Sequence, residues 1–331
     1  MDEMTQVKQL LADKLEPDRQ HLAPLRASLL EEARRPPTRR FAGSLRLAVA
    51  GVAVTAVTAG TVIFLQGAAP ASAQEVLRQA AEAAQEQRDL TPGPDQYVHT
   101  LFQQQQIQVQ NGKGELVNRM QERWEPAAGP KPWLLRERET SRADVPGMPR
   151  ATFPHTTEVS DSFFKTDCEQ APSGELTYAG MAGITPDQMR KKVAAGGPDI
   201  WNTVSMLIRA AAVRPSVTPE LYKIAAEVKG IKLIPETVDA IGRPGIGVTL
   251  EKNGARSIMI FDRETYRYLG ERFEVLDPKK FAVAGLDLDE KTANNPKLRL
   301  ITVNSSALVA VNVADGLPRL SANAATSKIP C

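Results

Sequence analysis

Ser162-Phe163-Phe164-Lys165 has the S-x-x-K spacing, in which a lysine one helical turn away deprotonates a serine for acyl transfer. Enzymes built that way add S-D-N and K-T-G elements, and neither occurs in this chain. His99 and His155 stand apart, with no H-E-x-x-H and no cluster of ligands around them, so no metal centre is expected. Asp287, Asp289 and Glu290 in "DLDEK" read as a solvated acidic turn rather than a cation site. No G-x-S-x-G, Walker loop or G-x-G-x-x-G appears. The chain is therefore expected to be no enzyme, with no cofactor and no catalytic residue.

Binding chemistry has more support. "FDRETYRYLGERFEVLDP" carries Phe261, Tyr266, Tyr268 and Phe273 on two strands joined by a turn after Asp262. Alternating aromatics of this kind either pack a core or wall an apolar groove for a lipid or peptide tail. Charge excludes one partner class. Met1 to Arg46 holds nine of the 41 basic residues and seven of the 39 acids, leaving 32 of each for the remainder. A neutral body of that size lacks the basic face of a nucleic-acid binder.

Leu47 to Leu65 is a run of 19 uncharged residues. As a helix it is about 28 Å long, close to the thickness of a hydrocarbon core. Its Gly51, Ala53, Ala56 and Gly60 make it only weakly hydrophobic. Five arginines and no acid lie between Ala33 and Arg46, whereas Glu75 and Arg78 alone carry charge from Gln66 to Ala81. The positive-inside rule then sets the N-terminus in the cytoplasm and everything after Gln66 outside. The rival reading is a secretory signal cleaved after Ala73, because Ala71-Ser72-Ala73 is an acceptable site. Against it stand the length of the apolar run and the 46 residues before it.

The organisation that follows is a cytoplasmic tail over 1–46, a transmembrane helix over 47–65 and an extracytoplasmic domain over 66–331. In the tail, Leu10, Leu11, Leu25 and Leu29 lie on short amphipathic stripes. They either dock on a cytoplasmic regulatory protein or lie on the inner leaflet beside "RRPPTRR". Cys168 and Cys331, the two cysteines, both fall outside in this topology, where an oxidising compartment allows a disulfide between them. Two unpaired thiols are the alternative.

In the outer part, Val76, Leu77, Ala80 and Ala84 define a helix over 73–88. Asn111-Gly112 between alternating runs predicts a hairpin. Residues 143–180 read as a long polar loop. Thr185-Pro186 opens a helix, Ile200, Val204, Leu207, Ile208 and Ala211 mark a second, and "TPELYKIAAEVKG" a third ending at Gly230. Four strand-like runs follow, the last with a turn near Asn304. The expected fold class is α+β, with a curved antiparallel sheet packed on helices.

A leucine-bearing tail, a basic spacer, one span, "SAQEVLRQAAEAA…GPDQYVHT" and the late "GVTLEKNGARSIMIFDRETYRYLGERFEVL" together resemble an uncharacterised family of actinobacterial single-pass membrane proteins. Members are often encoded beside extracytoplasmic-function sigma factors. The outer part is similar in pattern to the sheet-and-helix domains of periplasmic lipoprotein carriers and of regulators that bind anti-sigma factors. That resemblance implies a sensor or carrier at the cell surface and supplies no catalytic residues. The tail departs from the anti-sigma pattern, because no cysteine precedes the apolar run.

Overall fold

A computed structural model describes residues 70, 72–151, 153–154, 158–166, 177–278, 294–295 and 301–329. The tail leucines, the 47–65 segment, both cysteines, His155 and the 287–290 acids lie outside the described residues. Among those described, no helix is long and apolar enough to cross a membrane. Residues 66–331 form a compact unit, and its four apolar clusters are built from residues of that stretch, so it carries its own core.

The fold is α+β. Among the described residues four helices, α1 (Ala73–Glu86), α2 (Pro186–Ala195), α3 (Ile200–Ala211) and α4 (Thr218–Glu227), accompany ten strands. These are β1 (Tyr97–Gln110), β2 (Lys113–Pro126), β3 (Trp133–Asp144), β4 (Ser160–Thr166), β5 (Lys232–Val238), β6 (Pro244–Lys252), β7 (Ala255–Phe261), β8 (Tyr268–Val275), β9 (Ile301–Ala314) and β10 (Ala325–Ile329). They make one curved, open sheet in the order β10-β4-β3-β2-β1-β9-β8-β7-β6-β5.

Local chemistry sets the helix ends. Glu75 N donates to Ser72 Oγ at 3.2 Å and caps α1. Thr185 and Gln188 form a reciprocal capping box at α2, with Pro186 at its first position. Val76, Leu77, Ala80 and Ala84 of α1 are buried on the expected stripe. On α3 the stripe is rotated from expectation: Ile200 is 45% exposed, and Trp201 takes the core position at 3%.

The helices cover one face of the sheet, against Val98 of β1, Ile246 and Val248 of β6, and Met259 and Phe261 of β7. Alternation along each strand places these side chains on a common face. Asn111-Gly112, at φ 51° and 69°, makes the expected two-residue turn between β1 and β2. Asn253-Gly254, at 51° and 77°, repeats it between β6 and β7.

Three expectations are corrected. The sheet is mixed, because β10 runs parallel to β4 while the other pairs are antiparallel. The 143–180 stretch contains β4, which pairs with β3, and a short 3-10 turn over Ala179–Met181. Finally, β9 runs unbroken past Asn304, and the irregularity there is a register shift opposite Phe273 and Glu274.

Candidate functional site

Two turns and two helix ends meet at one end of the sheet. The β7–β8 connection, Asp262 to Arg267, is folded on the Asp262 carboxylate, which accepts from Glu264 N (3.0 Å), Thr265 N (2.8 Å) and Thr265 Oγ1 (2.8 Å). Burial works to raise the Asp262 pKa, but the bonds from Thr265 and Glu264 outweigh it and hold the group below the usual carboxylate range. This turn closes with Tyr266 at φ 53°, a left-handed conformation costing a non-glycine residue about 1–2 kcal/mol. Strain retained in a well-bonded turn is a pointer to use. Here its result is to turn the Tyr266 ring toward the helix layer, against the main core.

The β5–β6 connection is pinned by a second buried acid. Asp239 accepts from Ile241 N, Arg243 N and Arg243 Nε, the last at 2.6 Å. Arg243 Nη2 then reaches across to the carbonyls of Leu269 (3.1 Å) and Leu308 (2.8 Å), tying this turn to β8 and β9.

Between these turns, the C-terminal half of α1, the start of α4 and the Leu308–Val311 stretch of β9 lies a cleft of about 430 Å³. That volume is within the range of small-molecule sites. Its helix wall is built from Ala80 and Ala84, residues too small to close the gap to Leu308 and Val311. Tyr222, Tyr266 and Tyr268 form the aromatic wall. The Phe261 ring orders it from behind, edge-on to Tyr222 at 5.6 Å and to Tyr268 at 6.2 Å.

Tyr268 is the informative member. Its ring is partly exposed, but its hydroxyl oxygen is buried and has no hydrogen-bond partner among the described residues. Burial, with Glu271 adding to it, pushes this phenol well above the ordinary tyrosine range, so it stays a neutral donor. Burial does the same to Tyr222. A buried hydroxyl without a partner costs about 1–3 kcal/mol. Tyr268→Phe is therefore expected to raise the melting midpoint of the empty protein by about 2–4 °C for each kcal/mol regained, read by calorimetry. A lowered midpoint would mean that the hydroxyl is already satisfied.

The arginines differ in their pairing. Arg243 is held by Asp239, Arg209 by Glu271 at 3.1 Å, and Arg78 by Glu75 and Glu82. Arg214 stacks over Tyr178 at 4.0 Å, near Asp89. Arg88 and Arg267, which also line the cleft, have no ion pair or side-chain hydrogen bond among the described residues.

A second hollow, of about 540 Å³, lies beside Trp201, whose Nε1 is also buried without a partner among the described residues. The acids on its rim are already paired, Asp199 with Lys252 and Glu227 with Arg190. The cleft at Tyr268 combines an aromatic wall with two arginines that have no ion pair among the described residues and is the stronger site.

Of the residues singled out in the sequence, Tyr266, Tyr268 and Phe261 come together here, while Phe273 sits further along β8. Ser162 and Lys165 do not form a catalytic pair. They lie on β4, where residues three apart point to opposite faces, and Lys165 Nζ sits 5.7 Å from the Phe163 ring. His99 Nε2 is 3.0 Å from Glu122 and its ring stacks on Trp124 at 4.4 Å, a packing role. No three His, Cys, Asp or Glu side chains converge on a metal site among the described residues. Tyr222, Arg88 and Arg243 were not foreseen, since nothing in their spacing links them to the β7–β8 turn.

Fold and site together define an α+β domain with a cleft between its helix layer and its sheet. Comparison with models of known protein families finds no match, and neither does comparison with curated proteins.

Proposed function

We propose that this chain is a membrane-anchored extracytoplasmic binding protein, not an enzyme, whose outer domain senses an occupant of the cleft and signals through a cytoplasmic regulator. The observation that carries the binding reading is the preformed cleft of about 430 Å³ walled by Tyr222, Tyr266 and Tyr268, with Arg88 and Arg267 on it. Anchoring through residues 47–65 with the N-terminus inside rests on the five arginines that precede them. Leu10, Leu11, Leu25 and Leu29 supply the contact to a regulatory protein.

The boundary of α1 supports a retained anchor over cleavage after Ala73. Ser72 caps the helix and Ala73 is 2% exposed, so cleavage there would strip a cap that the folded domain uses, worth about 1 kcal/mol. A second reading, a carrier for a lipid or lipoprotein acyl chain, is favoured by the aliphatic part of the cleft wall: Ala80, Ala84, Leu308 and Val311.

The test is a C-terminally tagged full chain expressed in a bacterial host, fractionated and weighed. The expected result is full-length mass in the membrane pellet, with the tag open to protease added outside the cell. That pellet is also bait: cytoplasmic proteins captured by wild type should be lost when the four leucines become Asp. A product beginning at Gln74 in the medium would overturn the anchor and the tail with it. Capture unchanged by the Asp substitutions would leave the outer domain as a carrier.

A further inference from the structure

We infer that the cleft takes a single apolar chain bearing an anionic head, the head being bound by Arg88 and Arg267. This rests on the reading of the cleft as a ligand site and adds the chemical class of the ligand.

The charge pattern is the first support. An exposed arginine is ordinary in itself. What is specific is that Arg78 and Arg209 nearby, and Arg243 on the cleft itself, each have an acid partner, whereas Arg88 and Arg267 on the cleft have none among the described residues. Outside 1–46 the chain has equal numbers of basic and acidic residues, so this local excess is not a consequence of composition. Two guanidinium groups without acids at an apolar mouth suit a carboxylate or a phosphate.

The wall is the second. Ala80 and Ala84 are small where larger residues would have filled the slot, and Leu308 and Val311 face it. A slot between small residues fits an unbranched chain better than a ring system. The rings of Tyr222, Tyr266 and Tyr268 add an aromatic side to the same slot.

A peptide fits poorly. An extended peptide binds a sheet through a free strand edge. The strands at the cleft, β8 and β9, are both interior: β9 pairs with β1 and β8, and β8 with β7 and β9. Their backbone groups are committed to the sheet.

The test uses residues 66–331, which contain the whole described core. Dansylaminoundecanoic acid serves as a fluorescent probe, with dodecanoate, dodecyl phosphate and neutral dodecanol as competitors. Both anions are expected to displace the probe, with dodecanol weaker by about tenfold or more. A stronger effect of dodecyl phosphate assigns the head to a phospholipid-like source, and of dodecanoate to a free acid. Arg88→Gln with Arg267→Gln should weaken both anions by about tenfold or more while dodecanol and the melting midpoint stay unchanged. If dodecanol competes as well as dodecanoate, or if the double variant loses alcohol and acid alike, the head-group assignment is wrong. Failure of the wild-type domain to take up the probe at all would instead sink the cleft as a binding site for amphiphiles.

Discussion

Gly270→Ala is expected to destabilise the outer domain by about 3 kcal/mol, the upper end of what overpacking costs. Gly270 lies in β8 opposite Ala307 of β9. A methyl group built there would stand 2.0 Å from the Ser306 carbonyl oxygen and 2.9 Å from its carbon. Those are backbone atoms of a strand paired on both sides, so no side-chain rotation relieves the clash. Either the β8–β9 pairing opens locally or β8 shifts away from β9.

Both outcomes reach the cleft, because Tyr268 and Leu269 immediately precede Gly270, and Leu269 O is one of the two carbonyls that hold Arg243. Urea denaturation should show a lowered midpoint with an unchanged slope, as for a loss of stability without a change in the surface exposed. Probe binding should weaken in the fraction that remains folded. Gly316→Ala, where nothing lies within 4 Å, is the control and should change neither. A loss below about 1 kcal/mol at Gly270 would mean that β8 and β9 are not in this register.

The same stretch illustrates what the sequence made legible. Signals completed within a few residues were readable: the Asn111-Gly112 turn, the Thr185-Pro186 helix start, and the α1 stripe from Val76 to Ala84. Each is local chemistry, a φ preference or a single helical face. Elements defined by distant partners were not. β4 is a short strand whose two phenylalanines point to opposite faces, and it is stabilised by β3 on one side and by β10, more than 150 residues later, on the other. β5 was missed because Pro235 interrupts it, as is tolerated on an edge strand. On α3, two adjacent large apolar residues, Ile200 and Trp201, competed for one core position, and periodicity alone does not choose between them.

The cleft was half legible for the same reason. Tyr266 and Tyr268 share a turn, so their grouping could be read directly. Ala80, Ala84 and Arg88 lie 178 to 188 residues before these tyrosines and Tyr222 of α4 44 to 46 before them, and only the packing of helices on sheet unites them. Arg267 adjoins the tyrosines in sequence, but its lack of an acid is a property of the folded neighbourhood.

Asp161→Ala is expected to cost still more, about 3–5 kcal/mol, and to do so without touching the cleft. The Asp161 carboxylate is fully buried on β4 and accepts from Arg136 Nε (2.7 Å), Arg136 Nη2 (2.9 Å) and Ser321 N (2.6 Å). Arg136 also donates to Arg319 O at 2.8 Å, so this one acid fixes the path of the chain between β9 and β10. Truncation would leave a mostly buried cation and a backbone N–H without their acceptor, which is costlier than the pair is stabilising. The hydrogen bonds from Arg136 hold the Asp161 pKa below the usual carboxylate range, against the opposing effect of burial. A depressed folded pKa means that the contribution is complete above the unfolded-state carboxylate pKa and is lost as pH falls through the folded one. Wild type should therefore lose stability on acidification below about pH 4, and Asp161→Ala should lose less of it over the same interval, when both are followed by urea denaturation. Four strand spacings, about 19 Å, separate β4 from β9. Probe affinity at neutral pH, measured well below the variant's melting midpoint, should match wild type. Equal acid sensitivity in the two proteins would remove Asp161 as the titrating group, and a lost probe site would mean that the two ends of the sheet are coupled through β1 to β3.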